Sequence, residues 1–145
     1  EIIELNQKSI AQGGQIVDLR LPGTLYIYAD EVKIGQVITN FLTNALKHTA
    51  TGQHITIQAY RKPDEETMHF EIRDDGEGIP ESELPYVWDR YHKTSRSFSR
   101  NQLNTGLGLA IVKAILDAHD AQFGVESVVG KGSTFWFELR ETHEA

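Results

Sequence analysis

The sequence predicts an α/β sandwich in which helices cover one face of a mixed, mostly antiparallel sheet. Two segments with helical apolar spacing, about 31–48 and 107–118, are separated by segments in which apolar and polar residues alternate. Helices interspersed among pairs of strands are typical of a two-layer domain. At 145 residues and 39% hydrophobic content, the chain is long enough for one core. We therefore expect residues 1–145 to form a single domain.

The first third of the chain is predicted to hold a short helix, two strands and a long helix. Residues 2–12 end at a glycine pair, and residues 15–21 alternate apolar with polar side chains up to a Pro-Gly pair. Residues 25–29 form a second short strand. Asp30 is a good N-cap for the helix at 31–48, whose apolar residues recur at spacings of three and four.

The middle of the chain is predicted to form a hairpin followed by a short helical segment. Residues 54–60 and 68–73 alternate apolar with polar side chains and are joined by a polar turn. Pro80 begins a helical segment that leads towards Trp88 and Tyr91.

The remainder is predicted to contain a lid, a helix and two strands. Residues 93–105 are polar, and a connection of this length in a compact domain is more often a functional lid than a plain loop. The helix at 107–118 and strands at 122–128 and 133–140 complete the two layers, with about three helices in all.

Composition excludes several functions. The net charge of −7 argues against a nucleic-acid surface, and no apolar run is long enough to span a membrane. The absence of cysteine excludes disulfides and thiolate metal sites, and it fits a cytoplasmic compartment. The helical character of the first five residues leads us to expect a fragment of a longer protein. A local basic segment, comprising Arg90, Lys93, Arg96 and Arg100, suits a small polyphosphate or is an ordinary solvated face.

Two familiar phosphate motifs are absent. Gly130-Lys131-Gly132 resembles part of a P-loop, but position 125 is Val and a glycine rather than Ser or Thr follows the lysine. The dinucleotide fingerprint fails as well, because its third glycine would fall on Glu81 or Ile111.

Asn40 and Asn44 lie one turn apart on the long predicted helix, and Lys47 and His48 continue the same face. Amide oxygens are suitable ligands for Mg²⁺, which takes one or two protein oxygens together with phosphates and waters. The spacing alone does not decide between a metal site and two amides at the solvent edge of the apolar stripe.

Two glycine-bearing segments have similar alternatives. Asp74, followed by Gly76 and Gly78, is either an ordinary turn or a carboxylate that accepts the exocyclic amine of adenine. Gly106 and Gly108 begin a helix, where free amides favour a phosphate, although a simple hinge has the same pattern.

The order of these segments decides between the alternatives. Five segments resemble, in this order, the N, G1, F, G2 and closing boxes of bacterial sensor histidine kinases. They are Asn40 to His48, Asp74 to Ile79, Trp88 to Tyr91, Thr105 to Ala110 and Gly130 to Trp136. The resemblance covers nearly the whole chain. It implies the catalytic ATP-binding domain of such a kinase, with the Bergerat fold, and Mg²⁺ and ATP as its ligands.

The resemblance also implies which residues hold the metal and the base. Asn44 would coordinate Mg²⁺, Asn40 would support that site, and Asp74 would bind the adenine amine. The rest of the adenine pocket would be formed by Gly76, Gly78, Ile79, Tyr91 and Thr134.

A phosphate-binding set follows from the same resemblance. Basic side chains would stabilise charge on the phosphates, namely Lys47, His48, Arg90 and Lys93. Backbone amides at the start of the second helix would bind the phosphates as well, at Thr105, Gly106, Leu107, Gly108 and Leu109. Residues 93–105 would be an ATP lid that nucleotide orders.

Histidine kinases transfer phosphate to a histidine on a separate dimerisation domain. His119 is followed by Asp120, but this pair ends the second helix and lacks the downstream proline of the family's acceptor. We therefore expect the acceptor domain and a response regulator as partners. By the resemblance, the parent would be a homodimer in the bacterial cell membrane, and the isolated domain a monomer without membrane contact.

Two other hypotheses stay open. A serine kinase of the anti-sigma-factor type has the same superfamily motifs, and its acceptor is a partner protein. A nucleotide-binding module without catalysis is the non-enzymatic alternative, which the intact asparagine, aspartate and glycine positions disfavour.

Overall fold

The computed structural model describes residues 14–20, 30–63, 66–89 and 108–140. In chain order its elements are β1 (Ile16–Arg20), α1 (Glu31–Lys47), β2 (His54–Arg61), β3 (Thr67–Asp74), a short 3-10 helix (Leu84–Tyr86), α2 (Gly108–Ala118), β4 (Gln122–Val128) and β5 (Gly132–Arg140). The predicted helix at 2–12, strand at 25–29 and lid at 93–105 lie outside these residues. Within the described ranges, no helix is long and apolar enough to span a membrane.

The five strands form one sheet in the order β1-β2-β3-β5-β4. β1 is parallel to β2, while the other three neighbouring pairs are antiparallel. The parallel pair requires a long crossover, and α1 lies within it. The predicted mixed, mostly antiparallel sheet with helices on one face is confirmed.

The helix α1 begins and ends as its sequence indicates. Asp30 is its N-cap, and the carboxylate accepts a hydrogen bond from the Lys33 amide at 3.0 Å. His48 is the C-cap, and its amide donates to the carbonyls of Asn44 and Ala45. The apolar stripe is buried against the sheet, with Phe41 fully enclosed.

His119 joins the C-terminal end of α2 to the start of α1. Its Nε2 accepts the Asp30 amide hydrogen at 3.1 Å, and its Nδ1 lies 2.8 Å from the Ile115 carbonyl oxygen. Because an amide can only donate and a carbonyl can only accept, these two contacts fit the tautomer that carries its proton on Nδ1. Both ring nitrogens are therefore used by the fold.

The core lies between α1, α2 and the inner face of the sheet. Alternate residues of β5 are buried there, and the ring of Phe41 lies 5.5 Å from that of Phe135 and 6.3 Å from that of Phe137. Trp88 covers this cluster, with its ring 5.0 Å from Phe123 in an edge-to-face arrangement. The predicted helical segment before Trp88 is thus a short 3-10 helix that packs against the core.

The outer face of the sheet is covered by polar and aromatic side chains. His69 lies between Glu138 at 2.7 Å and Glu71 at 2.9 Å. Its ring stacks on Trp136 and lies tilted against Tyr60. Burial acts to raise the pKa of Glu138, but hydrogen bonds from His69 and Lys62 outweigh it and hold the pKa below its usual value.

We expect Phe41→Ala to lower the free energy of unfolding by about 3–5 kcal/mol, since it leaves a cavity between α1 and the sheet. Urea denaturation would measure the change. Val32→Ala is the matched control, because Val32 lies on the same helix but is 78% exposed, and its effect should stay within about 0.5 kcal/mol. Equal effects of the two substitutions would contradict this account of the core.

Candidate functional site

Asp74 is the last residue of β3, and its carboxylate is buried at the inner edge of the sheet, with 3% of the residue exposed. Strand alternation places it on the helix-facing side, in line with Ile72. Its Oδ1 accepts a hydrogen bond from the Gly76 amide at 2.8 Å. The segment therefore forms a turn that also buries the carboxylate.

Burial raises the pKa of Asp74 above its usual value, because a desolvated carboxylate prefers the neutral form. The Gly76 amide, the nearby His48 ring and the Ser133 amide act in the opposite direction. A buried carboxyl group in such surroundings is suited to accepting a hydrogen bond from a ligand.

Glycine is required at Gly76, Gly78 and Gly132 because other backbone lies against them. A Cβ on Gly76 would collide with the His48 carbonyl oxygen, and one on Gly78 would collide with the Val128 carbonyl oxygen. Gly132 has a φ of +119°, and its Cβ would meet the Asp74 carbonyl oxygen. Among the described residues, the packing of the protein backbone itself therefore requires these glycines.

Gly108 differs from these three glycines. A Cβ added there would meet nothing closer than the Asn40 amide oxygen, at 3.8 Å, among the described residues. The packing of the described chain therefore does not require glycine at this helix start.

His48 joins the end of α1 to the turn after Asp74. Its Nδ1 lies 3.2 Å from Glu77 Oε1, and its carbonyl oxygen accepts the Glu77 amide at 3.4 Å. A cavity of about 420 Å³ opens beside this pair. Basic and acidic side chains both occur in its lining, which comprises Lys47, His48, Thr49, Ala50, Gln53, Asp75, Gly76, Glu77 and Gly130. Sequence reasoning missed Glu77, because no local pattern links residues 29 positions apart.

Asn40 lies at the junction of α1 and α2, where its Nδ2 donates to the Gly108 carbonyl at 3.5 Å. Asn44 follows one turn later on the same face, towards Lys47. The two asparagines therefore extend from the start of α2 towards the cavity at the end of α1. Leu109, next in α2, packs against the core.

The side-chain amide oxygens of Asn40 and Asn44 are chemically suited to a Mg²⁺ ion, although they do not form a complete set of ligands by themselves. No cluster of three or more His, Asp or Glu residues suited to a metal occurs among residues 14–20, 30–63, 66–89 and 108–140. An amide oxygen is a hard ligand that supplements phosphate and water oxygens, which is how Mg²⁺ is usually held at nucleotide sites.

Ser127, Ser133 and Ile79 form a hydrogen-bonded group beside Asp74. The Ser127 hydroxyl accepts the Ile79 amide hydrogen at 2.7 Å and lies 2.7 Å from the Ser133 hydroxyl. Ser133 is the register partner of Asp74 and is buried on the same face of the sheet. Neither serine was identified from the sequence.

Thr134 lies on the opposite face. Residues of β5 alternate, and Thr134 pairs with Arg73 and Glu126 on the outer side of the sheet. The register therefore replaces Thr134 with Ser133 as the β5 side chain beside Asp74, because a shift of one residue reverses the face.

Six of the expected site residues cannot be placed. Arg90, Tyr91, Lys93, Thr105, Gly106 and Leu107 lie outside the described residues.

The chain matches the family described as histidine kinase-, DNA gyrase B- and HSP90-like ATPases over residues 29–143. This match covers most of the sequence, so the chain belongs to that family. The predicted resemblance is confirmed.

Known relatives narrow the comparison. The chain is 37% identical over 115 residues to the sensor histidine kinase WalK of Bacillus subtilis, covering 79% of this chain and 19% of the relative. It is 41% identical over 106 residues to the sensor histidine kinase AruS of Pseudomonas aeruginosa, covering 72% and 11% of the two chains. It thus spans less than a fifth of the length of either relative.

A solved structure shares the fold over almost all of the chain. Full-length ShkA, crystallised in complex with AMPPNP, superimposes with a TM-score of 0.81 at 26% identity, covering 99% of this chain and 29% of that one. The described helices and sheet therefore have the architecture of a histidine kinase catalytic domain.

The raised pKa of Asp74 predicts a pH-dependent stability. The folded chain binds a proton at this carboxyl more tightly than the unfolded chain does, so the contribution to stability is fully present below the unfolded pKa and is lost as the pH rises through the folded pKa. Because asparagine does not titrate, Asp74→Asn removes this loss of stability at higher pH. We expect the stability of D74N relative to wild type to increase as the pH rises from the acid range to neutrality.

Urea denaturation across this pH range would measure the difference. Asp75→Asn makes the same change one residue away at an exposed position, and it serves as the control. Parallel pH profiles for D74N and D75N would contradict the assignment of a raised pKa to Asp74.

Proposed function

We propose that this chain binds Mg·ATP and donates the γ-phosphoryl group to a histidine on a separate dimerisation domain. The observation that carries the proposal is the buried Asp74 carboxylate, enclosed by the end of α1, its own turn and the β4–β5 hairpin. Family membership indicates an ATPase-type fold. The buried carboxylate supports the proposal that the ligand is a nucleotide whose base carries an amine.

The adenine would bind against Asp74. A carboxylate accepts the hydrogens of an exocyclic amine, and a hydrogen bond to a charged partner contributes about 1.5–3 kcal/mol. The turn holds the carboxylate rigidly, because Gly76 and Gly78 are both packed against other backbone. Little reorganisation is therefore needed when the base enters.

The phosphates would lie along α1 towards the start of α2. Asn44 would coordinate Mg²⁺ with Asn40 supporting that site, and Lys47 would contribute positive charge on the same face. When bound, Mg²⁺ would neutralise the charge that develops on the phosphate oxygens. Arg90, Lys93 and the amides from Thr105 to Leu109 complete the proposed phosphate set, with residues 93–105 as the lid.

The acceptor histidine is proposed to lie on another domain. His119 has both ring nitrogens occupied between α1 and α2, so it is poorly suited to receive a phosphoryl group. His143 is followed by Glu144, in a segment outside the described residues. The proposed wider system is that of the sensor kinase relatives: a homodimeric membrane-anchored parent with this domain in the cytoplasm, and a response regulator that takes the phosphate.

Binding and transfer can be tested with Asp74→Asn and its neighbour Asp75→Asn. We expect D74N to lose measurable ATP binding in calorimetry, while D75N binds like the wild type. The same pair, mixed with labelled ATP and a separately purified acceptor domain, should show transfer only for D75N and wild type. Undiminished ATP affinity in D74N would reject the adenine contact, and label on this chain alone would redirect the proposal to His143.

Gly108→Ala separates a ligand role from a packing role. Alanine is the better helix former by about 1 kcal/mol, and the described packing leaves room for its methyl group. We expect G108A to keep the wild-type melting temperature or exceed it, yet to bind ATP at least tenfold more weakly, by roughly the strength of a hydrogen bond to a charged group.

Gly76→Ala is the contrasting control, because its Cβ would collide with the His48 carbonyl. That variant should lose stability as well as affinity. Wild-type ATP affinity in G108A would contradict close approach of the phosphates to this helix start.

A further inference from the structure

Ser127 stands at the point where three backbone segments meet beside Asp74. Its hydroxyl oxygen lies 2.7 Å from the Ile79 amide nitrogen, 3.0 Å from the Gly132 carbonyl oxygen and 2.7 Å from the Ser133 hydroxyl. The three partners come from the turn after Asp74 and from the start of β5. Ser127 itself belongs to β4.

The roles of these partners fix where each proton lies. A hydroxyl has one hydrogen to donate and two lone pairs to accept with. The Ile79 amide can only donate and the Gly132 carbonyl can only accept, so the Ser127 proton is directed to Gly132. Ser133 must then donate its own proton to Ser127, and its hydroxyl keeps only acceptor capacity for any other partner.

Ser133 and Asp74 are neighbours across β3 and β5 on the inner face of the sheet. Both are buried, at 6% and 3% exposure. With the Ser133 proton committed to Ser127, the two side chains present acceptors side by side. An amine on the base can donate a hydrogen bond to each of these two acceptors. A carbonyl oxygen at the same position on the base has no hydrogen to donate, so the two acceptors would be left without a partner.

We propose that Ser127 is a positioning residue that sets the base specificity of the nucleotide site, by holding the Ser133 hydroxyl as an acceptor beside Asp74. This rests on the proposed function, in which the base lies against Asp74. Ser127 acts through Ser133 and Ile79, and the discrimination it supports is between a 6-amino and a 6-oxo purine. A serine that merely stabilised the hairpin would affect both bases alike.

The test compares ATP with inosine triphosphate, whose base has an oxo group in place of the amine. Calorimetric affinities would be measured for the wild type, Ser127→Ala and Ser133→Ala. The exposed serine of the turn before the 3-10 helix provides the matched control, Ser82→Ala. We expect the wild type and S82A to prefer ATP, and S127A to lose about tenfold of that preference, which is the effect of one hydrogen bond.

The preference for ATP over inosine triphosphate should narrow in S127A because the Ser133 hydroxyl no longer donates to Ser127. Its proton can then be donated to the oxo group of the inosine base. S127T, which keeps the hydroxyl, should restore the wild-type ratio. S133A removes the acceptor without disturbing the Ser127 bonds to Ile79 and Gly132, so it should narrow the ratio even if S127A fails to fold.

The outcomes are distinct. Equal losses of affinity for both nucleotides in S127A and S133A would reduce these serines to structural residues and overturn the inference, with ATP binding intact. A wild-type chain that binds neither nucleotide would overturn the proposed function and this assignment with it.

Discussion

The site depends on three close approaches of backbone to backbone, at which a side-chain carbon would collide. The end of α1 meets Gly76, the β4–β5 turn meets Gly78, and the end of β3 meets Gly132. These approaches bring the Asp74 carboxylate under cover and leave it with amide partners from its own surroundings. Because backbone has few soft degrees of freedom, a pocket wall built in this way keeps its shape without a ligand. The same packing holds the Asp74 carboxyl group where water cannot solvate it, and this burial raises its pKa.

The helix α1 is fixed by backbone groups at its start, its middle and its end. His119 binds the Asp30 amide, Asn40 reaches the first carbonyl of α2, and the His48 carbonyl lies against the turn after Asp74. Each contact comes from a different part of the chain. The spacing of Asn40 and Asn44 is therefore set by helix geometry, and their position relative to Asp74 is set by these three contacts. An asparagine pair on a less constrained helix would have no defined relation to the carboxylate.

Periodic features of the sequence predicted most of the fold. The stripe of α1 and the alternation in β2, β3 and β5 survive because burial of one face enforces them. The Asp74 turn was also identifiable, since glycines directly follow an acid at a strand end. Contacts between residues that are distant in sequence were not identifiable from the sequence. Ser133 rather than Thr134 faces inward, and Ser127 reaches Ile79, only because of the register between strands that a single sequence does not encode locally.

The connectivity of the sheet has a kinetic consequence. Hairpins β2–β3 and β4–β5 each pair strands that are near in sequence, whereas β3 and β5 pair across the intervening α2. Bringing β3 and β5 together closes a long loop, and the loss of chain entropy precedes the stabilising contacts. The β3–β5 pairing should therefore be the slow step of folding. Asp74 belongs to the first hairpin, and Gly132 and Ser133 to the second. The carboxylate therefore gains Gly132 and Ser133 as neighbours only when the two hairpins dock, whereas its contact with the Gly76 amide is local to its own turn.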